Sequence, residues 1–169
     1  MNNIIHKFFT PALVVGFGLA ALLSVSIMQM FFILVVPAAG FLASRFEFRL
    51  HPEKGERPFL SSIRTGIAAG IYAAFFMTII EVIVTMIFKT NNFVALMPEA
   101  MKIIKELGLP EADQSVSLLN SLIDDIQRDG FSGLYTFIYF ISNSFSNAIF
   151  CLIGSVLFAF SYKRNSGNV

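Results

Sequence analysis

Glu81 is the one carboxyl side chain inside the apolar run Thr65–Phe88. An ionisable group in such a place is costly, and by default it points to a substrate or ion pathway, a proton relay or a polar partner. Eight residues separate it from Lys89 at the polar edge, so at helical rise it is expected about 12 Å inward. In a later apolar run Asn143 and Asn147 fall one helical turn apart on one face, and Ser142 and Ser146 repeat the spacing beside them. Asn143 is expected at a depth comparable to Glu81, where its amide can donate to the carboxyl, and Gln29 or Ser26 can approach from a third element. Read as function, Glu81, Asn143, Asn147 and Gln29 form an intramembrane cluster that moves a proton or grips a ligand. Read as structure, they are interhelical hydrogen bonds, which in membranes average about 0.6 kcal/mol each. One acid without a basic or second acidic partner is a thin constellation for transport, which favours the structural reading.

Other chemistry has less to stand on. His51, Glu53, Lys54, Glu56 and Arg57 lie together between Pro52 and Pro58, with Gly55 among them. One histidine with two carboxylates lacks the ligand count of a zinc site, and mixed charges with Pro and Gly describe a solvated turn. Cys151, the single cysteine, sits within an apolar run and reads as a packing residue. There is no nucleotide loop, nucleophile elbow or zincin helix. No catalytic, cofactor-binding or metal-binding residue is expected, and the chain reads as a non-enzyme.

The elements that must position these residues follow from hydropathy. The 169 residues are 56% hydrophobic and 14% charged, against about 25% charge in soluble domains. The 12 basic and 11 acidic residues are balanced, whereas a nucleic-acid binder needs a clustered basic face, so nucleic acid is not an expected partner and the lipid bilayer is. From Phe8 to Ser44 no side chain is charged, a run too long for one crossing of about 20 residues and barely enough for two. It also outlasts the apolar core of about 7 to 15 residues in a secretory signal, so cleavage is not expected. The spacing predicts an all-α, four-transmembrane-helix bundle in one integral membrane domain over 1–169. Its spans fall near 8–23, 28–44, 65–88 and 135–160, with the first turn at Ser24–Ile27. A re-entrant pair is the alternative for the first two. Pro11 should open its helix and Pro37 should kink the second. Tyr135 and Tyr139 are expected at one interface and Tyr162 at the other.

Four spans place both termini on one side. Lys7, Arg45, Arg49, Lys54, Arg57, Arg64, Lys163 and Arg164 fall there, which is the cytoplasmic side by the positive-inside rule. The segment 90–132 carries Glu99, Glu106, Glu111, Asp113, Asp124, Asp125 and Asp129 and should face outward. It reads as two short amphipathic helices. Met97, Met101, Ile104 and Leu107 stripe the first, started by Pro98–Glu99 and stopped by Gly108 and Pro110. Leu118, Leu119, Leu122, Ile123 and Ile126 stripe the second, stopped by Gly130. These faces could pack on the ends of the spans, lie on lipid or bind a partner's helix. Packing is favoured because the segment is net acidic.

Small residues at spacings of four mark expected helix contacts: Gly66, Gly70 and Ala74 on the third span, Gly16 and Ala20 on the first, and Gly40 and Ser44 on the second. These features together resemble the short four-span bacterial integral membrane proteins grouped as domains of unknown function. The resemblance rests on the hairpin ending Pro37–Ala43, the basic loop, Phe59 and Leu60 ahead of Gly66–Gly70, and the outer stretch from Met97 through Leu109, Pro110 and Glu111. It implies a bacterial cytoplasmic (inner) membrane location and transfers no catalytic residue. The function expected is an accessory or interaction component, working with a membrane-protein partner or as a homo-oligomer. The alternative is a small oligomeric transporter or channel using the Glu/Asn cluster.

Overall fold

The computed structural model of the protein describes residues 10–56, 58–108, 110 and 112–166. Lys7, Arg57, Leu109 and Glu111, which entered the expectations above, lie outside the described residues, as do Phe8 and Phe9 at the start of the first span. Among the described residues there are seven α-helices, one 3-10 turn and no strand, so the chain is all-α.

Helix α1, Pro11–Leu23, opens where Thr10 in extended conformation accepts from Leu13 N–H through its hydroxyl oxygen at 3.3 Å, and Pro11 takes the first position. At its end the Ser24 hydroxyl donates to the Ala20 carbonyl at 2.8 Å. The connection is longer than the expected turn at Ser24–Ile27: a single helical turn, α2, Ser26–Gln29, is followed by α3, Phe32–Leu50. The second helix therefore begins after Met28 and runs on past Ser44. Pro37 sits inside α3 and has no N–H to give to Ile33. After the 3-10 turn Pro52–Glu56, helix α4 spans Pro58–Phe88, so helix replaces part of the expected loop Arg45–Arg64. An apolar run marks only what hydrocarbon can cover, whereas backbone hydrogen bonding continues wherever charged side chains can reach water.

Helix α5 spans Asn92–Glu106. It starts at the Asn91 cap, whose side chain accepts from Val94 N–H at 3.0 Å, and not at Pro98–Glu99 as the spacing predicted. Pro98 lies on the exposed side of α5, where the Val94 carbonyl it leaves unpaired within the helix costs least. Gly108, at φ +60°, and Gly130, at φ +71°, follow the ends of α5 and of α6, Ala112–Asp129. Both adopt the left-handed turn conformation that glycine accepts freely. Helix α7 runs from Gly133 to Ser166.

The chain forms two compact units, residues 1–77 with 140–169, and residues 78–139. In the first, α3 and α7 run parallel at a constant offset. The Cys151 thiol donates to the Val36 carbonyl at 3.5 Å, the Ser155 hydroxyl donates to the Gly40 carbonyl at 2.8 Å, and farther along Phe41 meets Phe158 and Phe48 meets Tyr162. Helices α4 and α7 run antiparallel, since Phe59 meets Phe160 while Met77 meets Asn147. Helix α1 runs parallel to α4, with Ala12 beside Ala69 and Phe17 edge-on to Phe76 at 5.2 Å. The four helices thus alternate in direction along the chain. Much of what lies between them is small: Ala20, Ala43, Ala69, Ala73, Ala74 and Ala159 are fully buried, as are Ser44, Ser62 and Ser155, with Leu19, Leu23 and Val36 the larger side chains among them.

In the second unit α5 and α6 pack face to face. Val94, Leu122, Ile126 and Tyr135 form its core, with Phe93, Ile123 and Tyr139 against them. The Lys89 ammonium donates to the Arg128 carbonyl at 2.8 Å and so caps the end of α6.

Candidate functional site

Glu81 belongs to the second unit, and its partner there is a phenol: the Tyr135 hydroxyl donates to Glu81 Oε1 at 2.8 Å. Tyr135 is 9% exposed, its ring 4.9 Å from that of Phe93 and 5.8 Å from that of Tyr139. One helical turn from Glu81 toward Lys89, Asn91 Nδ2 donates to the buried Thr85 hydroxyl at 3.3 Å. Among the described residues no ion pair includes Glu81. A phenol can donate to this carboxyl group in either protonation state, so the contact holds the side chain in place without needing a change of charge.

Asn143, Asn147 and Gln29 lie in the first unit. Gln29 is a cap: its amide donates to the Leu23 carbonyl at 2.9 Å and satisfies an end of α1. Asn147 is fully buried, its Nδ2 donating to Met77 Sδ at 3.6 Å. Among the described residues its Oδ1 has no hydrogen-bond partner, nor have the hydroxyls of Ser144, Ser44 and Ser62. Asn143, one turn earlier, is half-buried.

Tyr135 is the partner of Glu81 that the spacing does not single out, because a tyrosine there reads as an interface residue. Pairing the ends of the two long helices shows the signal that finds it. A Cβ at Gly130 would lie 2.9 Å from Met86 Cα, so the chain re-enters the helical pair level with Met86. Five residues back from Met86 is Glu81, and five on from Gly130 is Tyr135.

The small residues sit at close backbone approaches. A Cβ on Gly16 would lie 2.7 Å from Tyr72 Cβ, and one on Gly70 would lie 2.5 Å from Ala148 Cα. One on Gly66 would lie 2.8 Å from Ser155 Cβ. At the tightest point Gly40 faces the Cys151 carbonyl and Gly154 faces the Pro37 carbonyl, with no room for a side chain on either. Ala20 and Ala74 are fully buried.

On the loop between α3 and α4, Lys54 pairs with the carboxylate of Glu47, which is 7% exposed, while His51 and Glu53 meet at 3.3 Å in the open. Among the described residues no group of three His, Cys, Asp or Glu is arranged to hold a metal ion. Two helices, α4 and α7 over Gly133–Arg164, are long and apolar enough to cross a membrane, and α1 is a shorter apolar helix. Compared with protein-family models, curated proteins and solved structures, the chain matches none.

Proposed function

We propose that the chain is an integral membrane protein that crosses a bacterial cytoplasmic membrane four times with both termini inside, and acts as a non-enzymatic accessory or interaction component. One observation carries the membrane reading. In the first unit alanine, glycine and serine make up most of the interior, with Leu19, Leu23, Val36, Phe48, Met77 and Phe158 the larger side chains buried there, while many large apolar side chains point outward: Ile33, Leu34 and Phe145 are each 70% exposed. Water would drive the reverse distribution, whereas lipid is as apolar as leucine and leaves helix association to close backbone contact. A buried core helix of a soluble protein does not fit either, since only 28% of the most apolar stretch of α4 and 33% of that of α7 is covered.

Lengths suit the long pair and press on the short one. The 31 residues of α4 and 34 of α7 extend about 46 and 51 Å, well beyond about 30 Å of hydrocarbon. The 13 residues of α1 reach about 20 Å and the 19 of α3 about 28 Å. On this reading α3 completes its crossing through the helical extension past Ser44, where Arg45 and Arg49 extend to the cytoplasmic headgroups. The resemblance to short four-span bacterial proteins of unknown function belongs to the same reading.

The accessory role draws on how the polar side chains are used: Tyr135 on Glu81, Ser155 on the Gly40 carbonyl and Gln29 on the Leu23 carbonyl are contacts that hold helices together. The buried Asn147 carbonyl oxygen and Ser144 hydroxyl favour a second reading, a small oligomeric transporter or channel, because acceptors held inside can take a passing donor.

Impermeant thiol labelling of intact cells tests the topology with cysteines placed singly at Lys54, Ile27 and Asp113. Labelling at positions 27 and 113 but not 54 is expected. Labelling at 54 and 113 alike removes the topology, and protection at 27 turns the first pair into a re-entrant hairpin. Vesicles carrying the pure protein then separate the roles: solute flux abolished by Asn147→Leu would replace the accessory reading with transport.

A further inference from the structure

Helix α5 has more apolar surface than its partner covers. Val94 packs on Leu122 and Ile126 of α6, and Met97, Met101 and Ile104 follow it at helical spacing and are half-buried. Leu96, Ala100, Ile103 and Leu107 recur at four, three and four residues, which aligns them on an adjacent stripe. Leu96, Ile103 and Leu107 are exposed. We propose that this stripe rests on the outer lipid surface, so that α5 lies at headgroup level with α6 above it in water. The inference depends on the membrane reading and extends it to the cap.

Three observations choose lipid over another protein as the occupant. The first turn of α5 is anchored below the polar edge. Asn91 is bonded to Thr85, one turn inward of Lys89, and Phe93 and Val94 pack on Tyr135, one turn beyond Phe131. A helix starting about 6 Å beneath that edge is at the depth where interfacial helices lie. The ends of the long helices in the same unit also present apolar side chains, since Ile87, Phe88, Phe131 and Leu134 are exposed. Finally, charge is divided unequally within the hairpin. Helix α5 balances Glu99 and Glu106 with Lys102 and Lys105, and Lys102 stands 3.9 Å from Glu106 beside the stripe. Helix α6 sets Asp113, Asp124, Asp125 and Asp129 against Arg128 alone. A neutral helix can approach headgroups that the acidic one is driven from.

The test uses the full chain in bilayer discs whose lipids carry a quencher near the headgroup end of the acyl chain. An environment-sensitive fluorophore is attached at Ile103→Cys or Leu107→Cys on the stripe, at Ser117→Cys on α6, or at Ile87→Cys on α4. Buried Cys151 stays in place, and the unsubstituted chain is the blank. Labels at 103 and 107 should lose most of their emission while the label at 117 keeps it. Quenching at 87 without quenching at 103 or 107 overturns the lipid contact and leaves the membrane reading standing. No quenching at any position overturns both. Shielding at 103 and 107 that appears only when discs hold two chains overturns the proposal in favour of a second copy.

Discussion

The two units solve the same packing problem with opposite materials. In the first, helices touch backbone to backbone: the Ser155 hydroxyl reaches the Gly40 carbonyl and Gly154 lies on the Pro37 carbonyl, while Phe17, Phe75 and Phe145 face away. In the second, Val94 of α5 meets Leu122 and Ile126 of α6, with Tyr135 of α7 in the same core, so large apolar side chains fill the interior, and the acids and amides stand outside with Leu96, Ile103 and Leu107. Burying leucine gains free energy only where the alternative is water. The contrast teaches that the surroundings change along one chain, and that shape governs one unit while burial governs the other.

The largest effect expected from that contrast lies at Gly40 and Gly154. Leucine at either position drives a side chain into a backbone carbonyl that cannot step aside, and overpacking of this kind costs about 3 kcal/mol or more. Unfolding in mixed micelles should show both variants losing the native state. Leucine at Gly18, where a Cβ meets nothing within 4 Å, should change stability by no more than about 0.5 kcal/mol. Equal losses at Gly18 and Gly40 would mean that contact shape is not what holds the first unit. Next in size is Ile126→Ala, which removes fully buried atoms from the hairpin and should cost about 2 to 4 kcal/mol. Hydrogen exchange should rise through α5 and α6, and a smaller rise there than elsewhere would break the comparison.

Much of this was legible because hydropathy and spacing report on surroundings directly. The charge-free run, the glycine stops at Gly108 and Gly130 and the alternation of small residues with bulky ones each reflect one local constraint. Helix ends were less legible. Asn91 captures the start of α5 six residues before the expected proline signal, and α3 and α4 continue into charged sequence because backbone hydrogen bonding does not stop where an apolar run does. The partner of Glu81 was hidden for a geometric reason: matching depths on two helices requires the height at which the second re-enters, and the contact of Gly130 with Met86 settles that height. Gln29 illustrates a further obscurity, since a side chain that caps the preceding helix looks, in sequence, like a free polar group.

A smaller effect is expected at the Glu81–Tyr135 contact, a polar link between α4 and α7 inside the second unit. Tyr135→Phe should cost about 0.6 kcal/mol and no more than about 1.7. Glu81→Gln, which keeps an acceptor for the phenol, should cost less, and the double variant should show coupling between the positions. A Glu81→Gln chain that folds normally but loses a measured activity would move Glu81 from positioning to chemistry.

The smallest effect belongs to Arg128 and Asp129 on the water side of α6, where the guanidinium holds the carboxylate through hydrogen bonds of 2.9 and 3.1 Å. Those bonds, with the positive charges of Arg128 and Lys89, hold the Asp129 carboxyl below its ordinary range despite an opposing contribution from desolvation. A carboxyl group depressed in the folded state adds stability above its unfolded value of about 3.9, and that increment disappears as pH falls through the folded value. The increment is therefore small and constant near neutrality and is lost only under acid. Carbon-detected titration of Asp129 should move up toward the ordinary value in Arg128→Gln, while the melting temperature at pH 7 stays within error, because exposed pairs are screened by water and salt. An unmoved Asp129 titration would remove Arg128 as its partner. A large fall in stability at pH 7 would mean that the cap end of α6 lies in lower-dielectric surroundings than water provides.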